Sequence, residues 1–362
     1  MTTTTKTALP QIWPRRIRFI SLSAGRISMR VDVQTLLVTL ALTAITVVVS
    51  VWSLGVGSAE GSNLPLDRVL GAFAGTEPEV VRRIVVEGRL PRVLVAVVGG
   101  AALALSGAIF QTLTRNPLGS PDIIGFTSGA NTGALVAMLV LGLGYTGATI
   151  GSLVGGLLTG ALIYLLALRD GVHGTRLIVI GIAVSAMLVA FNGFLLVRAR
   201  VENAASAAAW GQGIFDQLRF VDVIAVVAVM VLLLPALVLL TPSLRMFELG
   251  EDAAQSKGVD TGRSQLLLLV VGVGLVAAVT AVAGPIAFVA LIAPQIASRI
   301  ARSPGIPLLT TAAVGASLLV VCDAIARTML APVQLPVGVV TTALGGVYLL
   351  GLLVAQSRKA AS

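Results

Sequence analysis

Long stretches without a single charged residue constrain the fold of this 362-residue chain more than any other feature. An α-helix needs about 20 apolar residues to cross the hydrocarbon layer of a bilayer. Five uncharged stretches have about that length, and each predicts one membrane-spanning helix; they are residues 33–59, 93–114, 177–197, 223–244 and 303–322.

Further uncharged stretches are longer or interrupted. Residues 123–168 suffice for two helices joined by a tight turn at 142–147, where glycines concentrate. Residues 264–298 break at Gly284-Pro285, which predicts two helices, the second shorter than a full span. The final span is predicted at residues 338–355. The total is ten membrane helices.

The distribution of charge predicts the orientation of these helices. Cytoplasmic loops of membrane proteins carry an excess of Lys and Arg. With ten spans and a cytoplasmic N-terminus, all of the net charge of +9 falls on the cytoplasmic side. Both termini are therefore expected in the cytoplasm. We divide the chain into a basic, flexible cytoplasmic leader (1–34), a transmembrane domain (35–357) and a cytoplasmic tail (358–362).

Composition excludes several classes of protein. Only 11% of the residues are charged, which is too little polar surface for a water-soluble enzyme of this size. One His and one Cys cannot form a His/Cys metal cluster, and a Ser/His/Asp catalytic set is hard to assemble. The sequence has no Gly-x-x-x-x-Gly-Lys-Ser/Thr loop for ATP phosphates, and its basic residues are too scattered for nucleic-acid binding. A pump built on this chain would take its energy from another subunit.

Few ionisable residues fall within the predicted helices. A carrier that couples transport to protons needs such residues at bilayer depth, which argues against a secondary carrier or channel working alone. The exception is Asp323, four residues before Arg327 on the same helix face, which predicts a local ion pair. Small residues within 99–108 and 151–160 predict closely packed helices.

Two cytoplasmic connections have patterns that suggest a role. Pro117 and Pro121 disfavour helix in the residues before them, so the connection at 115–121 is predicted to be rigid. Residues 248–258 start with acidic residues and end with glycine, as a short amphipathic helix does. Asp260 would cap the helix that follows. A stiff projecting helix is the element through which a cytosolic motor could act on the bundle.

Several motifs follow one another in a characteristic order; they are Arg89-Leu90-Pro91-Arg92, residues 100–111 leading into Arg115-Asn116-Pro117-Leu118-Gly119-Ser120-Pro121, residues 249–259, residues 283–290 and residues 335–340. Together they resemble the FecCD/BtuC family, the permease subunits of ATP-driven importers for iron chelates and vitamin B12. The resemblance extends from about residue 35 to the C-terminus. Within the family, residues 116–121 and 180–192 look most similar to ferric-enterobactin permeases of the G type.

The resemblance implies a fold and a set of partners. The fold would be all-α, an integral membrane protein with ten transmembrane helices like the BtuC-like type II ATP-binding-cassette (ABC) importers. Two permease subunits would enclose a pathway, and the enterobactin-like sequence favours a heterodimer over a homodimer. Two cytoplasmic ATPase subunits would use ATP and Mg²⁺, and an extracytoplasmic binding protein would deliver the cargo. The permease itself would bind no cofactor or metal.

Roles for individual residues also follow from the resemblance alone. Docking of the binding protein would use Arg89, Arg92 and Arg327. The cytoplasmic gate would comprise Asn116, Leu118, Gly174 and Thr175, with His173 in place of a smaller polar residue of the family. Coupling to the ATPase would use Glu248, Leu249, Gly250, Glu251, Asp252, Ala253, Ala254 and Gly258.

The expected function is import of a ferric siderophore, of the catecholate type, across the cytoplasmic membrane by a transporter subunit that is not itself an enzyme. Haem or a cobalamin is the alternative cargo within the family. A secondary carrier or channel that works alone is the alternative from another class.

Overall fold

The computed structural model describes residues 19–24, 27–58, 61–167, 174–216, 218–303 and 305–360. In this part of the chain the helices are, in order, α1 (Val33–Gly55), α2 (Leu66–Ala74), α3 (Glu79–Arg82), α4 (Leu90–Thr114), α5 (Pro121–Ile124), α6 (Phe126–Leu135), α7 (Gly144–Ala167), α8 (Gly174–Arg198), α9 (Val201–Trp210), α10 (Phe220–Glu248), α11 (Glu251–Ser256), α12 (Thr261–Ala283), α13 (Val289–Ala301), α14 (Leu308–Thr328) and α15 (Val337–Ala360).

Eight of the described helices are long and apolar enough to cross a membrane: α1, α4, α7, α8, α10, α12, α14 and α15. The turn at Arg83–Arg89 is π-helical and joins α3 to α4 without a break. Two shorter apolar helices, Phe126–Val140 and Val289–Ala301, complete the set. The predicted helical membrane fold is therefore confirmed, and eight long helices and two short apolar ones account for the ten predicted helices.

The short helices account for the interrupted stretches of the sequence. The first ends at Val140 and α7 begins at Gly144, on either side of the predicted turn. α12 ends at Ala283 because Gly284 has a positive φ of 72°. α13 has 13 residues, about 20 Å at 1.5 Å per residue, so it is shorter than the hydrocarbon layer.

The N-terminal region differs from the prediction. Residues Phe19–Ala24 (β1) and Ile27–Asp32 (β2) pair as an antiparallel hairpin, so part of the expected flexible leader (1–34) has regular structure. Apolar and polar residues alternate along β2, the pattern of a strand, but over too few residues to be distinctive. Asp32 then caps α1, because its side chain accepts a hydrogen bond from the Gln34 backbone N–H (3.2 Å). Residues 1–18 lie outside the described part.

Glycines allow the central helices to approach each other closely. α4 and α12 are the most buried of the long helices, whereas α1, α8 and α10 bury few of their residues. Gly100 of α4 faces the backbone of Gly315 in α14, and Gly133 of α6 faces that of Gly151 in α7; a Cβ at any of these positions would overlap the facing carbonyl. The predicted small-residue surfaces are therefore packing surfaces, as expected where no hydrophobic force drives helices together.

Candidate functional site

Polar residues from distant parts of the chain gather at both ends of α4. This helix has 25 residues, about 37 Å in length. Arg92 lies in its first turn, and Arg115 follows its last residue. We call the region around Arg92 the arginine end of the bundle and the region around Arg115 the coupling end.

At the arginine end, Arg92 is the centre of a buried ion-pair network. Its Nε donates to Oδ1 of Asp323 (2.7 Å), and its Nη1 donates to Oδ1 of Asp216 (2.8 Å) and Oε1 of Gln334 (2.7 Å). Nη2 of Arg327 lies 3.2 Å from Oδ2 of Asp323. The predicted Asp323–Arg327 pair is therefore confirmed. It belongs to a larger group, Arg92, Asp216, Asp323 and Arg327, which we call the arginine network.

Two arginines also bind the end of α1. Nη1 of Arg327 donates to the carbonyl oxygens of Ser53 (3.1 Å) and Val56 (3.0 Å), and its Nη2 contacts the Ser53 hydroxyl. Nη1 of Arg89 donates to the carbonyl oxygen of Leu54 (2.8 Å). The last carbonyls of a helix have no partner within the helix. The two guanidinium groups therefore satisfy the end of α1 and fix it to α4 and α14.

The three arginines expected to dock the binding protein are largely buried. Arg89, Arg92 and Arg327 are each less than a tenth exposed and are bonded to acceptors of their own chain. Their docking role stays a prediction. In this structure they hold helices together. Sequence reasoning missed Asp216 and Gln334, because these residues lie 124 and 242 positions from Arg92.

The connection after α4 contains two of the expected gate residues. Oδ1 of Asn116 accepts from the Leu118 N–H (2.9 Å), and the Asn116 carbonyl accepts from the Gly119 N–H (2.8 Å), which closes a tight turn. Gln295 of α13 donates to the Pro117 carbonyl (2.7 Å) and ties the turn to that helix. The Leu118 side chain is 44% exposed. The expected rigidity is present, and the gating role stays a prediction.

The other expected gate residues, Gly174 and Thr175, are the first two residues of α8. His173 lies outside the described residues. Farther along, Asn192 of α8 accepts a hydrogen bond from the Thr132 hydroxyl of α6 (2.7 Å). This contact fixes α8 against α6.

The expected coupling helix is shorter than predicted. Glu248 is the last residue of α10, and α11 covers only Glu251–Ser256. Gly250 separates them because its φ of 112° is incompatible with a continuous helix. The predicted cap of the following helix is confirmed, since Oδ1 of Asp260 accepts from the Arg263 N–H (3.0 Å).

The coupling segment, residues 248–258, has an exposed side and an anchored side. Leu249 is 71% exposed, and Asp252 and Gly258 are also exposed. Ala254 is buried and Ala253 is half-buried. The segment thus presents an apolar and acidic surface at the coupling end.

Two carboxylates of this segment accept hydrogen bonds from other parts of the protein. Oε1 of Glu251 accepts from the Gln265 side chain of α12 (3.2 Å). Oε1 of Glu248 accepts from the Ile306 backbone N–H (3.0 Å), in the connection between α13 and α14. The Arg115 side chain lies beside Gly250. The coupling segment is therefore attached to the ends of several spanning helices.

A half-buried carboxylate that the sequence did not single out lies between the gate turn and α13. Asp122 of α5 accepts from the Thr127 hydroxyl (2.7 Å) and from the Phe288 N–H (3.2 Å). Burial raises the pKa of Asp122 to about 6, although both hydrogen bonds act to lower it. It joins the gate connection to the start of α13, where Phe288 has a positive φ of 69°.

The described residues thus form a bundle of ten apolar helices with a short exposed helix at one end. The FecCD transport family matches residues 34–355. The chain is 46% identical over 324 residues to the ferric enterobactin transport system permease protein FepG of Escherichia coli K12. The alignment covers 90% of this chain and 97% of that protein. It is 37% identical to the achromobactin transport system permease protein CbrC of Dickeya dadantii, over 92% of this chain and 95% of that one.

A solved structure of a metal-chelate type ABC transporter in an inward-facing conformation superimposes with a TM-score of 0.75, at 28% identity, and covers 88% of this chain and 99% of the other. The chain belongs to the FecCD transport family. It is thus the multi-pass membrane permease of an ABC importer and not an enzyme, and ATP hydrolysis belongs to a separate ATPase subunit. Such a permease works with that ATPase and with a substrate-binding protein.

Proposed function

We propose that this permease imports a ferric siderophore, of the catecholate type, across the cytoplasmic membrane. The proposal is carried by the 46% identity with a ferric enterobactin permease, which extends over 97% of that protein. Ferric catecholates are bulky anions, and the permease would conduct the intact chelate without chemistry on the iron.

We also propose that both termini and the coupling end face the cytoplasm. The excess of basic residues in the segments on that side supports this orientation. α11 then projects toward the ATPase, which uses ATP and Mg²⁺. Leu249 and Asp252 are exposed and available for contact. Glu248 is also exposed, but its carboxylate, like that of Glu251, is hydrogen-bonded within the chain. Asn116, Leu118, Gly174 and Thr175 would form the cytoplasmic gate.

The arginine end would then face outward and receive the binding protein. Arg89, Arg92 and Arg327 would act there by holding the docking surface in shape, because each donates hydrogen bonds to acceptors of its own chain. The second permease subunit would be a related chain, so that the pathway is enclosed by a heterodimer.

Uptake measurements test the cargo and the energy source. The permease is assembled with its partner subunits in proteoliposomes, and radiolabelled iron is supplied as a catecholate or a hydroxamate chelate with the binding protein. We expect uptake of the catecholate only when ATP is enclosed. Preference for the hydroxamate, or for haem or cobalamin in parallel assays, would overturn the cargo, and uptake without ATP would overturn the ABC mechanism.

Labelling tests the orientation. Cys322 is buried, so a Ser256→Cys variant carries one accessible thiol on α11. A membrane-impermeant maleimide should modify it in inverted vesicles and leave it unmodified in intact cells. The reverse pattern would place α11 on the outside, where no ATPase could contact it.

A double substitution tests coupling. Glu251→Ala with Asp252→Ala should abolish ATP-dependent uptake while the protein stays in the membrane. Glu202→Ala, at an exposed carboxylate on α9, is the matched control and should transport normally. Unaltered uptake by the double variant would contradict the proposed coupling role of α11.

A further inference from the structure

Glu248, the last residue of α10, makes a side-chain hydrogen bond to a distant part of the chain. Oε1 of Glu248 accepts from the backbone N–H of Ile306 at 3.0 Å, across 58 residues of sequence. Gly305 lies directly against the same carboxylate, and a Cβ there would overlap Oε2. The position next to Glu248 therefore accommodates only glycine without rearrangement.

This contact joins the coupling segment to the start of α14. Ile306 is followed by Pro307, the N-cap of α14, so the carboxylate lies near the positive end of that helix dipole, where negative charge is favourable. α14 has 21 residues, about 32 Å in length. At its far end it carries Asp323 and Arg327 of the arginine network.

α14 is firmly packed along its length, so a displacement at one end would move the other. Its Gly315 meets the backbone of Gly100 in α4, and its Asp323 is bonded to Arg92 of α4. A second route from the coupling segment exists through Glu251 and Gln265 to α12. The two routes can be separated by substitution, because they use different side chains.

We propose that Glu248 is a positioning residue that transmits movement of α11 to α14, and through α14 to the arginine end. The proposal rests on the proposed function, in which α11 contacts the ATPase. Glu248 is exposed, but its carboxylate is hydrogen-bonded within its own chain, and through that contact it would act. Its loss should uncouple ATP hydrolysis from transport rather than prevent either assembly or hydrolysis.

The experiment measures chelate imported per ATP hydrolysed by the complete transporter in proteoliposomes. Glu248→Ala should lower this ratio about tenfold, the factor that corresponds to one hydrogen bond to a charged group, while the amount of assembled complex stays unchanged. Glu248→Gln should retain most of the ratio, because its amide oxygen still accepts from the Ile306 N–H. This rescue separates the contact from a general requirement for negative charge.

A double-substitution cycle identifies the partner. Gly305→Ala should displace the Glu248 carboxylate and lower the ratio alone, but it should add little in the Glu248→Ala background, because both changes remove one interaction. Additive effects of the two changes would show that Gly305 acts independently and would overturn the assignment.

Gln265→Ala is the control for the α12 route. If it lowers the ratio and Glu248→Ala does not, transmission runs through α12 and the inference is wrong, while ATP-driven import by the unmodified transporter still supports the proposed function. If the unmodified transporter shows no ATP-dependent uptake, the proposed function fails and the inference fails with it.

Discussion

Removal of the shared carboxylate in the arginine network should destabilise the protein strongly. Asp323 is 1% exposed and lies between two guanidinium groups, with 2.7 Å to Nε of Arg92 and 3.2 Å to Nη2 of Arg327. Asp323→Ala would leave these two buried cations with less compensation. Removing one partner of a buried ion pair costs about 3–5 kcal/mol in the free energy of unfolding. We expect a loss of that size.

The measurement is an unfolding titration of the purified permease in detergent or nanodiscs, with Glu79→Ala as the matched control. Glu79 pairs with Arg82 at 3.4 Å, but both side chains are about half exposed or more, and such surface pairs contribute about 0.2–1 kcal/mol. Arg92→Ala combined with Asp323→Ala should cost less than the sum of the single changes. If Asp323→Ala costs no more than Glu79→Ala, the network does not stabilise the fold and the reasoning is refuted.

Three further predictions use the same titration. Gly107→Ala should lower the free energy of unfolding by about 1–3 kcal/mol, because its Cβ would overlap the Ala290 carbonyl of α13. The control Gly193→Ala on α8, with open space around it, should change that free energy by less than about 0.5 kcal/mol. Equal effects would refute the packing argument. Asp260→Ala should cost about 1 kcal/mol through loss of the N-cap of α12, and Asp260→Ser should restore most of it; no loss on Asp260→Ala would contradict the cap. The pKa of Asp122 is raised from 3.8 to about 6 by burial, so the folded state holds that proton more tightly, and stability should fall by up to about 3 kcal/mol as the pH rises from about 4 to about 6. Asp122→Asn should remove this pH dependence at the cost of one hydrogen bond, because its amide has one acceptor oxygen where the carboxylate uses two. An unchanged pH profile would contradict the assignment.

The number and placement of the membrane helices could be predicted from sequence because hydrocarbon imposes a length on every span. Uncharged runs of about 20 residues show this length directly, and the two interrupted runs indicated the short helices Phe126–Val140 and Val289–Ala301. The cap of α12 at Asp260 and the Asp323–Arg327 ion pair were also predictable, since both are contacts between residues at most four positions apart. Local geometry suffices for such contacts.

The extent of the coupling helix was predicted less well. Glu248–Gly258 has a helical composition, but the positive φ of Gly250 ends α10 and leaves only Glu251–Ser256 as α11. A glycine in a helical pattern is compatible with continuation or with a break, and only its surroundings select between them. Here the Arg115 side chain lies beside Gly250, and the Glu248 carboxylate is bonded to the Ile306 N–H, so both contacts surround the break.

The sequence by itself determined that this chain is a membrane protein of ten apolar helices, because each helix depends on residues close together in the chain. Only the tertiary structure decided that Arg89, Arg92 and Arg327 are buried within the protein. Their partners Leu54, Asp216 and Ser53 are 35, 124 and 274 residues away. A charge at the end of a helix can face water or turn inward, and the choice depends on which distant acceptors packing brings within hydrogen-bonding distance.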